Sequence, residues 1–253
     1  MKKFDGGSIE KTMSFAKQHY ENKKIFTGEL LFDHCVTVAK QAELMAARIY
    51  QDVRVDFMPD NTKESVSAIT QAAVLHDVLN VSACSFEHIA VTTTVQIAAM
   101  VADISRDFRL VETKRDMEFR GRLSQSPVGS QIIVAADVIC TARDLLTTLA
   151  KQGLVVVPKA KKILTQLDGD LLALHAASRY HMLRLYVHAA RNMLSDVSQK
   201  IKDYRHQAKI DKIVAQTTKR LREKVEAEKK ATIKAKKKEV CYARKRISEP
   251  DAE

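Results

Sequence analysis

One short segment of the sequence points to metal chemistry, the His76-Asp77 pair at the end of an apolar run. Burying an imidazole beside a carboxylate is costly unless both are paired, and a divalent cation can pair with both. Neighbouring residues of a helix point about 100° apart, so these two side chains cannot close a site alone. Two further candidate ligands, His34 and Asp137, lie within apolar helical patterns elsewhere in the chain. We therefore expect a divalent-metal site built from several segments.

Each of these residues also has a structural interpretation. A single histidine on an apolar helix face is more often a hydrogen-bonded core residue than a ligand. A carboxylate in an apolar segment such as that around Asp137 is otherwise neutral or satisfied by a hydrogen bond. His175, His181 and His188 have no neighbouring acids, and we interpret them as part of a helix surface rather than as a second metal site.

The elements that must position these residues are predicted to be helices. The sequence has only 7 Gly and 4 Pro in 253 residues, and its apolar positions recur at helical spacing. The predicted helices span about 8–22, 28–46, 61–79, 86–108, 113–124, 127–151, 158–167 and 170–194, with a further helix from about 195. The predicted start signals of these helices are Ser8, Asn61 or Thr62, and Ser126 ahead of Pro127. The run Leu154 to Val157 is predicted to be an extended connector.

The positive charge is concentrated at the C-terminal end of the chain. Of the net +11, residues 201–253 contribute +8, from 17 basic and 9 acidic residues. We expect a helical body at 1–195 and a basic helical tail at 196–253, whose thin apolar stripe fades after Val225 into a mobile end. A solvated helix is the ordinary interpretation of such a tail, and binding of nucleic acid or an acidic protein is the alternative.

Cysteine usage and the absence of export signals point to a reducing compartment. Cys35, Cys84, Cys140 and Cys241 are widely spaced, without the CxxC pairs of a zinc site or the density of a disulfide framework. The first residues lack the apolar stretch of a signal peptide, and no segment has the length of a membrane span. We expect a cytoplasmic protein that does not associate with membranes. Its oligomeric state stays open.

Several segments together resemble the HD-domain metal-dependent phosphohydrolases, whose ligands occur in the order His, His-Asp, Asp. The resemblance rests on Gly28-Glu29 before His34, Val38-Ala39 after it, Ala72-Ala73-Val74-Leu75-His76-Asp77-Val78, and Val134-Ala135-Ala136-Asp137. The chain is most similar to the RelA/SpoT-type and Mesh-type (p)ppGpp, or alarmone, hydrolases, from about residue 10 to 165. This resemblance implies an HD-domain multi-helix bundle, followed here by the basic helical extension.

The resemblance also implies metal-assisted hydrolysis of a nucleotide. The cation would be held by His34, His76, Asp77 and Asp137. Mn²⁺ is the first candidate for this cation, and Fe²⁺, Mg²⁺ or Zn²⁺ are the alternatives. Asp77 and the residue at position 80 are the expected catalytic residues. The family has two acids after the His-Asp pair, and this sequence has Asn80 and Val81 at those positions.

Substrate contacts are expected from basic and polar residues near these motifs. Lys24 and Arg143 could bind phosphate, with Arg120 and Arg122 as further donors. Thr141 stands where the family has an Asn. The leading hypothesis is a nucleotide phosphohydrolase, with (p)ppGpp or a related nucleoside polyphosphate as substrate. The alternative is a regulatory module that binds metal or nucleotide but has weak turnover because the two acids are missing.

Overall fold

The described part of the chain folds as a set of helices. The computed structural model describes residues 6–52 and 65–248, and within these ranges it has no strand, only an isolated bridge between Lys24 and Leu30. The helices are α1 (Gly6–His19), α2 (Leu31–Asp52), α3 (Val66–Val74), α4 (Val78–Val81), α5 (Phe86–Thr92), α6 (Val95–Ile104), α7 (Glu112–Leu123), α8 (Val128–Gln152), α9 (Val157–Ala177) and α10 (His181–Ser248). The predicted all-α class is confirmed.

Helices α2, α3 and α8 form the centre of the fold. They pack against one another, and α6 and α9 pack on α8. Every residue of α3 from Ala68 to Val74 is buried, so this helix is enclosed on all sides rather than on one amphipathic face. The His76-Asp77 pair follows α3 almost directly and is therefore held inside the bundle.

The structure corrects the helix predicted over 61–79. Residues 61–64 and the predicted caps Asn61 and Thr62 lie outside the described residues. The described part starts at Ser65, whose side chain accepts a hydrogen bond from the Ala68 amide. The helix ends at Val74, and the Leu75 amide bonds back to the carbonyls of Gln71 and Ala72 in a tight turn. His76 and Asp77 thus lie in a turn between α3 and α4, where their side chains are not restricted to helical spacing.

Other boundaries also differ from the prediction. The helix predicted over 86–108 is two helices, because Thr94 caps a new helix by accepting a hydrogen bond from the Ile97 amide. The predicted connector Leu154 to Val157 is instead a short 3-10 helix, Gly153–Val156, that leads into α9. Helix α2 begins at Leu31, after Gly28 has turned the chain with a φ of 93°. Short local signals thus set boundaries that apolar periodicity alone does not show.

The predicted break near Gly169 was wrong. Helix α9 runs without interruption from Val157 to Ala177. A side chain at position 169 would collide with the guanidinium of Arg120. The glycine therefore marks a close approach between α7 and α9, and the helix continues through it because a single glycine costs only about 1 kcal/mol there.

The chain separates into two compact units, Met1–Ile201 and Lys202–Glu253. In the second unit the backbone is helical through Ser248, and Ile213, Val214 and Leu221 are exposed. In the first unit, Cys35, Cys84 and Cys140 are buried and not disulfide-bonded. None of the helices that the structure describes is long and apolar enough to cross a membrane.

Candidate metal centre

Three side chains from different elements converge on one point. His34 comes from α2, His76 from the turn after α3, and Asp137 from α8. One nitrogen of each histidine and one carboxylate oxygen of Asp137 all lie within 4.8 Å of one another. The Asp137 Oδ1 atom is 3.2 Å from His34 Nε2 and 4.0 Å from His76 Nε2. This spacing is small enough for one cation to be bound by all three atoms.

The hydrogen bonds of the two imidazoles leave the right atoms for a metal. His76 Nδ1 lies 2.8 Å from the carbonyl oxygen of Ala73, which can only accept, so Nδ1 carries the proton and Nε2 faces Asp137. His34 Nδ1 lies 3.2 Å from Asp144 Oδ2, and its Nε2 also faces Asp137. Orientation of a ligating histidine by a carbonyl or a carboxylate is typical of protein metal sites. The donor set therefore fits a divalent cation.

Sequence reasoning missed Asp144. It follows Asp137 by seven residues on α8, close to two helical turns, so both carboxylates lie on the same face of the helix. That spacing was visible in the sequence and could have identified it as a partner of His34.

Asp77 lies beside the cluster rather than within it. Its Oδ2 atom is 3.7 Å from His76 Nε2, and its Oδ1 accepts a hydrogen bond of 2.9 Å from the Asn80 amide. The oxygen of Asn80 in turn accepts from the Arg106 backbone amide at 3.1 Å. Asn80 thus uses both ends of its amide to hold Asp77 against the loop that follows α6.

Electrostatics make the cluster attractive to positive charge. Burial lowers the pKa of His34, but the hydrogen bonds with Asp137 and Asp144 outweigh it and raise the pKa to about 10. Burial likewise lowers the pKa of His76, yet nearby Cys35 and Asp77 outweigh it and raise the pKa well above the usual range. Burial raises the pKa of Asp137, and the hydrogen bond from His34 and the charges of both histidines bring it down to about 2. The acidic groups that stabilise the protonated histidines would stabilise a bound cation in the same way.

The cluster lies on the wall of a cavity of about 390 Å³. The walls also carry the predicted residues Lys24, Asp77, Asn80 and Thr141. Thr141 donates a hydrogen bond of 3.1 Å to Asp137 Oδ1, so its hydroxyl supports a candidate ligand. The remaining lining residues are Ile25, Phe26, Leu31, Val81, Ile104, Arg106, Phe108, Phe119, Ile133, Val134, Val138, Ile163, Gln166, Leu167 and Asp170.

Three arginines predicted near phosphate are placed elsewhere. Arg143 is exposed on α8 and does not line the cavity. Arg122 donates to the carbonyls of Ala102 and Ser105, both at 2.6 Å, and so ties α7 to the end of α6. Arg120 donates to Asp170 at 3.2 Å and also does not line the cavity. Of the predicted basic contacts, Lys24 alone reaches the cavity wall.

The fold of this chain is similar to that of a protein of known structure. No protein-family model matches the chain, and no curated protein matches its sequence. A solved structure described as a metazoan ortholog of SpoT, which hydrolyzes ppGpp and plays a role in starvation responses, has a TM-score of 0.56. The match covers 74% of this chain and 95% of that chain, at 16% identity. This chain has an HD-type fold. At this identity the likeness concerns the arrangement of the helices.

Within this HD-type fold, the predicted ligands have different outcomes. His34, His76 and Asp137 form the three-residue cluster, whereas Asp77 contacts it through His76. The HD-type bundle that the sequence motifs implied is confirmed. The division of the chain into a body at 1–195 and a tail at 196–253 stays a prediction.

Proposed function

We propose that this chain is a metal-dependent phosphohydrolase that acts on a nucleotide. The observation that carries the proposal is the His34, His76 and Asp137 cluster on the wall of a 390 Å³ cavity. Cavities of about 300–1,000 Å³ are typical of small-molecule sites. The HD-type fold supports the proposal, since the similar structure is that of a protein that hydrolyzes ppGpp.

The proposal gives each residue of the site a role. His34, His76 and Asp137 hold the cation, for which Mn²⁺ is the first candidate, and Asp144 orients His34. A cation bound there lowers the pKa of water and polarises a phosphoryl oxygen. Asp77, fixed by Asn80, either completes the ligand set or accepts a hydrogen bond from the attacking water. Lys24 and Thr141 line the cavity and are the proposed substrate contacts, and Arg143 is not retained in that role.

The identity of the nucleotide is a finer proposal. The sequence motifs suggest (p)ppGpp or another nucleoside polyphosphate, and the similar structure makes ppGpp the reference substrate. A panel of nucleoside mono-, di- and triphosphates with ppGpp tests this, with phosphate and pyrophosphate release measured after addition of Mn²⁺, Mg²⁺, Fe²⁺ or Zn²⁺.

The same assay tests the proposed residues. Asp137→Ala removes one cluster ligand and is expected to reduce product release to background. Asp168→Asn is the matched control, because Asp168 is exposed on α9, does not line the cavity and loses the same charge. Unchanged release by Asp137→Ala would exclude the cluster as the catalytic centre.

A second function is favoured by one specific observation. Neither Asn80 nor Val81 supplies a carboxylate, and both have structural contacts, with Asp77 and with the Lys23 ammonium respectively. A module that binds metal and nucleotide with little turnover fits this arrangement. The binding module predicts that nucleotide and Mn²⁺ together raise the Tm while no product forms. The hydrolase predicts a rise in Tm together with product formation.

A further inference from the structure

One aromatic side chain is exposed in the cavity that holds the metal cluster. Phe108 lines the same cavity as His34, His76 and Asp137, and it is 58% exposed. Among the described residues, every other phenylalanine is buried or half-buried. Small-molecule sites are typically lined by apolar and aromatic side chains that a bound ligand covers. Phe108 is therefore a candidate contact for the ligand of this cavity.

The backbone around Phe108 forms a tight turn between α6 and α7. The Leu110 amide donates to the Asp107 carbonyl at 3.1 Å, and Asp107 Oδ1 accepts from the Arg109 amide at 3.0 Å. The Asp107 carboxylate also accepts two hydrogen bonds of 2.8 Å from the Arg109 guanidinium. Aspartate favours turns because its side chain can bond the backbone two residues on. These bonds hold the backbone of Phe108 in a defined position.

The same turn is attached to the candidate metal centre. Arg106 precedes Phe108 by two residues, and its backbone amide donates to Asn80 Oδ1 at 3.1 Å. The Asn80 amide nitrogen in turn donates to Asp77 Oδ1 at 2.9 Å. Two successive hydrogen bonds thus connect the turn that carries Phe108 to the aspartate beside the cluster.

An arginine covers one face of the Phe108 ring. The Arg115 guanidinium lies 4.6 Å from the ring centroid, within the distance of about 6 Å that is typical of a cation–π contact. Arg115 forms no ion pair with a described carboxylate, and its Nε atom is buried without a hydrogen-bond partner among the described residues. The ring is therefore the contact that orients this guanidinium. Because a ring has two faces, Arg115 supports Phe108 without closing it to a ligand.

The other phenylalanines of the cavity wall are less open. Phe119 is only 3% exposed, and the Arg106 guanidinium lies 4.0 Å from its ring centroid. Phe26 is half-buried. Of the described phenylalanines that line the cavity, Phe108 is thus the one with a ring exposed enough to stack on a planar group.

We propose that the nucleobase of the substrate stacks on Phe108, with Arg115 supporting the ring from its other face. The phosphate then lies at the metal cluster and the base lies on Phe108, at two places on the wall of one cavity of about 390 Å³. Every base has a π-face, so this contact selects a nucleotide over a sugar phosphate without selecting one base. The inference rests on the proposed function and adds to it the residue that binds the base.

Two ligands with the same phosphate monoester, GMP and ribose 5-phosphate, measure the contribution of the base. Their dissociation constants are determined by calorimetry on the full chain with Mn²⁺, with product analysis after each titration. Phe108→Ala should weaken GMP binding by about 5- to 150-fold, the usual effect of removing an aromatic stacking partner, and leave ribose 5-phosphate binding unchanged. Phe108→Tyr keeps the ring and should retain the affinity for GMP. Met117→Ala is the control, because Met117 is an exposed apolar residue of α7 that does not line the cavity.

A fluorescent variant gives a second readout. The sequence has no tryptophan, so Phe108→Trp places a single indole at the proposed platform. GMP should quench its fluorescence and ribose 5-phosphate should not, while Met117→Trp, at a position that is 73% exposed, should respond to neither ligand.

The results separate the platform from the proposed activity. The proposal is overturned if Phe108→Ala leaves GMP binding unchanged, if it weakens both ligands equally, or if the wild-type chain binds neither. Base-dependent binding that needs Phe108 but yields no product would support the platform and contradict only the hydrolase activity. Product formation with equal affinities for GMP and ribose 5-phosphate would contradict only the platform.

Discussion

Asp144 provides a sensitive test of the metal centre because it contacts the cluster only through His34. Its carboxylate lies 3.2 Å from His34 Nδ1, on the side of the ring away from Asp137. Asp144→Ala removes this partner and leaves all three proposed ligands in place. Asp144→Asn keeps a hydrogen-bond acceptor but removes the negative charge. The two substitutions together separate orientation of the ring from its polarisation.

The size of the expected loss of cation affinity follows from the distance between Asp144 and His34 and from the exposure of Asp144. Two unit charges 3.2 Å apart interact by about 5 kcal/mol at an effective dielectric constant of about 20. A neutral imidazole that binds a cation carries only part of a unit charge, and Asp144 is 25% exposed to screening solvent. We therefore expect Asp144→Ala to weaken cation binding by 10- to 100-fold, about 1.4–2.8 kcal/mol. Asp144→Asn should lie near the lower end of that range.

Competition of the protein with a fluorescent chelator for Mn²⁺ measures this change. Asp33→Asn is the matched control, since Asp33 precedes His34 on α2, is exposed and loses the same charge. The control should change the affinity by less than about threefold, as expected for an exposed charge. Equal cation affinity in wild type and Asp144→Ala would refute the role assigned to Asp144. Equal losses in Asp144→Ala and Asp33→Asn would show a general charge effect instead.

Four further results are expected. Cation affinity should rise with pH between about 6 and 8, because His34, with a pKa raised to about 10, must release its proton before it can bind a metal. Calorimetry in buffers of different ionisation enthalpy measures the released proton, and a pH-independent affinity would contradict this prediction. Mn²⁺ at 100 times its Kd should stabilise the fold by about 2.7 kcal/mol, and the resulting rise in Tm should be absent in His76→Ala. The Asn80 amide nitrogen lies 2.9 Å from Asp77 Oδ1, so Asn80→Glu places a second carboxylate beside Asp77 and the two negative charges repel each other. The Tm measured with EDTA should therefore fall more than the Tm measured with Mn²⁺, and equal changes would argue against this repulsion. Ile69→Ala in the enclosed helix α3 should cost about 2–5 kcal/mol in denaturant unfolding, and a loss under 1 kcal/mol would show that α3 is not central to the core.

The sequence was most informative where a costly residue lies in an apolar segment. His34, His76 and Asp137 were candidates because imidazole and carboxylate groups are expensive to bury, and the resemblance to the HD motifs grouped them as one ligand set. The structure brings all three within 4.8 Å. Helical periodicity likewise predicted the all-α fold. These signals depend on local composition, which a single sequence shows directly.

The sequence was less informative where a role depends on a distant partner. Gly169 resembles a helix break until Arg120 is seen to occupy the space beside it. Arg106 resembles a phosphate ligand by type, and only its contacts with Asp116 and Asp170 show that it is neutralised. Such contacts join residues 10 to 64 positions apart, so no local pattern predicts them.

Anomalous diffraction from crystals of the chain grown with Mn²⁺ tests the proposed metal centre most directly. The result expected is one strong peak at about 2.0–2.3 Å from His34 Nε2, His76 Nε2 and a carboxylate oxygen of Asp137, distances typical of metal ligation by these groups. The distance from that peak to Asp77 shows whether Asp77 is a fourth ligand. A cluster without a peak, in a crystal where Mn²⁺ binds at another position, would contradict the metal centre and the phosphohydrolase proposal with it.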